Sequence, residues 1–87
     1  MLPDFEIIKI LNQQFALARS RNSSYSLRAF AKKLGVPASG ISEVLRGKRR
    51  ITRKMATRML ERLRVDPRLT QSLTRELKDN YRMVRDP

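Results

Sequence analysis

The chain has 87 residues, carries 20 Lys and Arg against 8 Asp and Glu, and contains neither cysteine nor histidine. That length allows one domain with one small core, and the missing residue types remove a disulfide framework, a thiolate or imidazole metal site, a cysteine nucleophile and the usual proton shuttle at neutral pH. A net charge of +12 favours polyanionic partners, either nucleic acid or an anionic membrane surface.

Five helical patterns follow one another, with no stretch that alternates apolar and polar residues as a strand does. The first spans about Pro3 to Arg19, with Asp4 and Glu6 at the positive end of the helix dipole and an expected inner stripe of Phe5, Ile8, Leu11, Phe15 and Ala18. Polar residues 20–24 break the chain. The second begins after Ser26, an N-cap type, runs through Leu27, Phe30, Ala31 and Leu34, and stops at Gly35. The third starts near Pro37 or Ala38 and reaches about Arg46, burying Ile41, Val44 and Leu45 before Gly47. Gly40 lies inside it at a cost of about 1 kcal/mol relative to alanine. The fourth follows Thr52, another N-cap type, with Ile51 and Met55 spaced as a hydrophobic staple and Ala56, Met59, Leu60 and Leu63 continuing the stripe. The fifth follows Asp66-Pro67 and is expected to carry Leu69, Leu73, Leu77, Tyr81 and Val84 on one face.

The charge is not spread evenly along these elements. Residues 19–64 hold fourteen Lys or Arg and only two carboxylates, Glu43 and Glu61, whereas the two ends are close to balanced. The excess therefore belongs to one part of the fold. The N-terminal residues Met1 to Glu6 are acidic where a secretory leader is basic. Apolar runs reach only three or four residues, far short of the roughly twenty needed to span a bilayer. A soluble cytoplasmic protein is the expectation.

Two short helices joined by Gly35-Val36-Pro37 make a helix-turn-helix pattern. Small Ala31 permits close approach, Gly35 permits the turn, and Val36, Ile41 and Val44 fill the corner. The segment from Leu27 to Val36, followed by Ile41-Ser42-Glu43-Val44-Leu45-Arg46-Gly47-Lys48-Arg49, resembles the helix-turn-helix of phage-repressor and Cro-like regulators. Tyr25 to Ala31 together with Leu45 to Arg49 is similar to the N-terminal domain of a family of predicted bacterial transcriptional regulators. There it precedes a larger C-terminal region, so the resemblance implies that this chain is an N-terminal piece of a longer regulator. Pro37-Ala38 stands where many relatives cap the recognition helix with Ser or Thr.

The resemblance implies an all-α, compact five-helix lambda-repressor-like bundle, one DNA-binding domain over residues 1–87 with its helix-turn-helix at about 27–46. It also implies that the third helix enters the major groove of double-stranded DNA. Outward from its buried stripe lie Ala38, Ser39, Ser42, Glu43 and Arg46. Ala38 can meet a thymine methyl, Ser39 and Ser42 base edges, Glu43 cytosine N4, and Arg46 guanine or phosphate. Ser39 equally suits a cap, Glu43 a partner for Arg46 or Lys48, and Gly40 either a close backbone approach to DNA or relief of crowding. Phosphate contacts are expected from Lys48, Arg49 and Arg50 in the following loop, from Arg53 and Lys54 at the start of the fourth helix, and from Arg28 and Lys32 on the second. Arg58, Arg62 and Arg64 are expected to lie farther away and add to the field.

Without histidine, cysteine, a Gly-rich phosphate loop or paired carboxylates, enzymatic chemistry is a poor fit. No metal, cofactor or small-molecule ligand is expected. A homodimer through the C-terminal helix is compatible with the pattern. Alternatives are a protein-partner module of the same fold, an antitoxin-like role, or a basic amphipathic module over Ile51 to Arg64 on membranes or RNA. The last lacks both an anchoring tryptophan and a set of exposed aromatics for base stacking.

Overall fold

The computed structural model describes residues 3–78, and among these the regular structure is five helices and no strand: α1 (Pro3–Arg21), α2 (Leu27–Leu34), α3 (Ala38–Leu45), α4 (Arg53–Arg62) and α5 (Pro67–Thr74). The all-α reading of the sequence holds. α2 packs on α3 and α4, α1 on α3 and α5, and α4 on α5.

The internal helices begin and end where their caps direct. The Ser26 hydroxyl accepts from the Ala29 N–H at 3.0 Å, and the Thr52 hydroxyl from the Met55 N–H at 3.2 Å. α2 closes on Gly35 at φ 76°, with Val36 N–H donating to Ala31 C=O and Gly35 N–H to Lys32 C=O, both at 3.1 Å. α3 closes on Gly47 at φ 73° in the same way, Lys48 N–H to Glu43 C=O at 2.8 Å and Gly47 N–H to Val44 C=O at 3.0 Å. α4 repeats these two bonds with Val65 and Arg64 as donors to Leu60 and Glu61 C=O, both at 3.0 Å. Here the left-handed residue is Arg64, at φ 60°, where no glycine marks the stop.

The core joins Ile7 and Leu11 of α1, Phe30, Ala31 and Leu34 of α2, Ile41 and Val44 of α3, Ile51, then Ala56, Met59 and Leu60 of α4, and Leu77. Phe30 sits at the α1–α2 junction with Phe15 and Tyr25, ring centroids 5.2 and 6.4 Å away. Leu45 and Leu63, expected on the stripes, are half-buried against this core. Ile51 precedes the α4 cap, and the residue at the staple position beneath it is Ala56, fully buried, rather than the half-buried Met55.

Both terminal helices are rotated from the faces their apolar spacing suggests. In α1 the innermost residues are Asp4, Ile7 and Leu11, while Phe5 is 52% exposed and Ile8 and Phe15 are half-buried. The rotation follows from Asp4. Its carboxylate Oδ2 accepts the Ile51 N–H at 2.9 Å and Arg50 Nε at 3.3 Å, so the side chain must point inward. α1 has apolar residues on more than one side, and this polar anchor selects among them. α5 ends at Thr74, well before the expected C-terminal extension. It buries Thr70 and Thr74, the Thr74 hydroxyl donating to Thr70 C=O at 2.9 Å, and leaves Leu69 46% exposed. Leu73 is half-buried and Leu77 reaches the core from beyond the helix. Tyr81 and Val84 lie outside the described residues.

Candidate nucleic-acid interface

α3 presents one polar face. Gly40, Ile41 and Val44 are buried, which turns Ser39, Ser42 and Arg46 to the opposite side at i, i+3 and i+7. Ser39 and Arg46 are exposed and Ser42 half-buried. Ala38 lies at one edge of this face, half-buried against the core, and Glu43 at the other. Pro37 holds the N-cap position and supplies no side-chain hydrogen bond, and Ser39 lies inside the helix as its second residue rather than at the cap.

The cationic side chains expected to meet phosphate are not equivalent. Arg28, Lys32 and Lys48 are exposed. Arg49 is exposed and pairs with Glu43, Nη1 to Oε1 at 3.6 Å. That is a different partner from the Arg46 or Lys48 expected from sequence. Arg50 is anchored on buried Asp4, whose other oxygen, Oδ1, is buried without a hydrogen-bond partner. Asp4 thereby ties the basic loop to the N-terminal end of α1, a role that its place in a first helical turn does not reveal.

The N-terminus of α4 is largely committed within the chain. Arg53 N–H donates to Lys78 C=O at 2.9 Å, the Arg53 guanidinium reaches Arg75 C=O at 3.2 Å, and Met55 N–H is held by the Thr52 cap. Of the first three N–H groups of this helix, those of Arg53 and Met55 therefore already have acceptors, which narrows the anion site expected there. Lys54 stays exposed and lines an open cleft of about 320 Å³ with Gly35, Pro37, Gly40, Arg49 and Arg58. Gly40 is buried in the flank of α3 that faces this cleft, where an added Cβ would stand in ordinary contact with Arg49 Nη1 at 3.4 Å and Met55 Cε at 3.8 Å, so relief of crowding does not require a glycine there.

Arg58 and Arg62 were expected to act at a distance, yet both reach the corner itself. Arg58 Nη1 donates to Gly35 C=O at 3.3 Å and Arg62 Nη1 to Lys33 C=O at 3.5 Å. They meet carbonyls that α2 leaves open at its C-terminal end, where positive charge is also favoured by the helix dipole. No spacing within α4 could have disclosed this, because the acceptors belong to another helix.

Among the described residues no helix is long and apolar enough to cross a membrane. Comparison with curated proteins and with solved structures gives no match. A family described as helix-turn-helix, lambda-repressor-like in type, matches residues 17–69, from the second half of α1 into α5 and more than half of the chain. With the corner between α2 and α3 built as it is, the chain belongs to this helix-turn-helix family of DNA-binding transcription regulators.

Proposed function

We propose that this chain, over its full 87 residues, is the sequence-specific double-stranded DNA-binding domain of a transcriptional regulator. α3 enters the major groove. The observation that carries this reading is the single polar face of Ser39, Ser42 and Arg46 set opposite a buried stripe and bordered by exposed Lys48 and Arg49. Serine hydroxyls can donate to or accept from base edges, and Arg46 can take guanine O6 and N7 or a phosphate. Ala38, at the edge, is suited to a thymine methyl. Lys48, Arg49 and Lys54 meet the backbone on one side of the groove and Arg28 and Lys32 on the other, and these contacts set the register. Arg50 and Arg53 add their charge from anchored positions.

Selection of bound duplexes from a random pool tests this directly. The expected result is an enriched motif whose affinity falls steeply with salt, with a log–log slope of about −0.9 per phosphate neutralised. Lys48→Ala should weaken enriched and scrambled duplexes alike, whereas Ser39→Ala or Ser42→Ala should change the motif. A twofold-symmetric motif with half-sites about 34 Å apart would reveal pairing of two copies. If no duplex is retained at low ionic strength, the reading fails.

A further inference from the structure

Glu43 is the only carboxylate between Glu6 and Glu61, and it stands on the helix proposed to enter the groove. A negative charge brought against a phosphate backbone is repelled unless a cation accompanies it. Here the cation is Arg49, its Nη1 3.6 Å from Glu43 Oε1. The same nitrogen lies against Gly40, where an added Cβ would meet it at 3.4 Å and Met55 Cε at 3.8 Å. Gly40 and Glu43 are three residues apart and share a flank of α3. Arg49 thus folds back along the helix that precedes it, seated at Gly40 and charge-matched at Glu43.

Resting on the duplex-DNA reading above, we infer that Glu43 sets sequence discrimination by orienting Arg49 rather than by reading a base itself. Glu43 is a positioning residue in this arrangement. A guanidinium has five donors in a rigid fork, and one contact to Glu43 leaves others for a DNA acceptor. An untethered loop arginine can follow a phosphate or base wherever the bound sequence puts it. Tethered, Arg49 offers its donors from one place, so a duplex of the wrong shape or sequence does not engage it. The ordering of a long side chain is also already met before binding.

The test uses the 87-residue chain with the duplex it enriches from a random pool and a scrambled duplex of equal composition. Discrimination is the ratio of the two dissociation constants. E43Q is expected to lower that ratio about threefold, the scale of an exposed ion pair, and to tighten binding of the scrambled duplex. R49Q is expected to lower the ratio equally, and E43Q/R49Q to lower it no further. R49K is expected to keep the wild-type salt slope without restoring discrimination, because an ammonium lacks the planar fork. Circular dichroism checks that each variant stays folded, so a lost ratio is not lost structure. Additive losses, about ninefold in the double variant, would overturn the inference. So would an unchanged ratio in E43Q, or a new base preference in E43Q alongside wild-type behaviour in R49Q. If the wild-type chain enriches no duplex at all, the DNA-binding reading itself falls, and this inference with it.

Discussion

In α2 and α3 the side that apolar spacing assigns to the core is the side that is buried. Ser26 and Gly35 bound an eight-residue helix whose Phe30, Ala31 and Leu34 are all in the core, and Gly47 closes α3 beyond buried Ile41 and Val44. In α1 and α5 the apolar spacing points to Phe5 and Leu69, yet these are two of the most exposed large apolar residues described. The inner positions go instead to Asp4 in α1 and to Thr70 and Thr74 in α5. Length and capping do not separate the two groups, since α5 has eight residues and an Asp66 cap yet turns Leu69 outward. In the nineteen-residue α1, with apolar residues on several sides, a distant hydrogen-bond partner makes the selection.

Paired substitutions can break that contrast. Phe30→Ala, at a fully buried aromatic contact, is expected to cost about 3–5 kcal/mol in urea unfolding, whereas Phe5→Ala should stay within about 0.5 kcal/mol. Near-equal losses would restore Phe5 to the core and refute the rotated α1. Asp4→Ala comes next, with about 1–3 kcal/mol expected because the buried Ile51 N–H loses its acceptor. Hydrogen exchange should then quicken at Ile51 before it does at Leu34, and uniform protection would show that Asp4 anchors nothing.

The helix stops supply smaller effects. Gly35→Ala is expected to cost about 1–2 kcal/mol, since a left-handed backbone and an added Cβ 3.2 Å from the Arg62 guanidinium both oppose it. Gly47→Ala meets nothing within 4 Å, so only the backbone strain remains, about 1 kcal/mol. The smallest effect is a gain: Arg64→Gly relieves the positive φ and should raise thermal stability by up to about 1 kcal/mol. Equal losses at Gly35 and Gly47 would mean that Arg58 and Arg62 do not crowd the corner.

The candidate interface was readable to a similar extent. Ser39, Ser42 and Arg46 follow from helical periodicity once Ile41 and Val44 are taken as buried, and the basic loop follows from its position after Gly47. What could not be read was which cations are already engaged. Arg49 meets Glu43 six residues back, but Arg50 meets Asp4 46 residues away and Arg58 meets Gly35 23 residues away. A list of basic residues treats these as equals, whereas the fold divides them into exposed side chains and struts.

The five helices, four of their starting points, the glycine stops of α2 and α3, and the polar outer side of α3 are all encoded locally, because caps and 3.6-residue periodicity act over a single turn or two. The tertiary structure alone decided the rotation of α1 and α5 and the tether of the basic loop to Asp4. Each of these depends on packing surfaces or hydrogen-bond acceptors supplied by other elements, and neither propensity nor pattern within a segment carries that information.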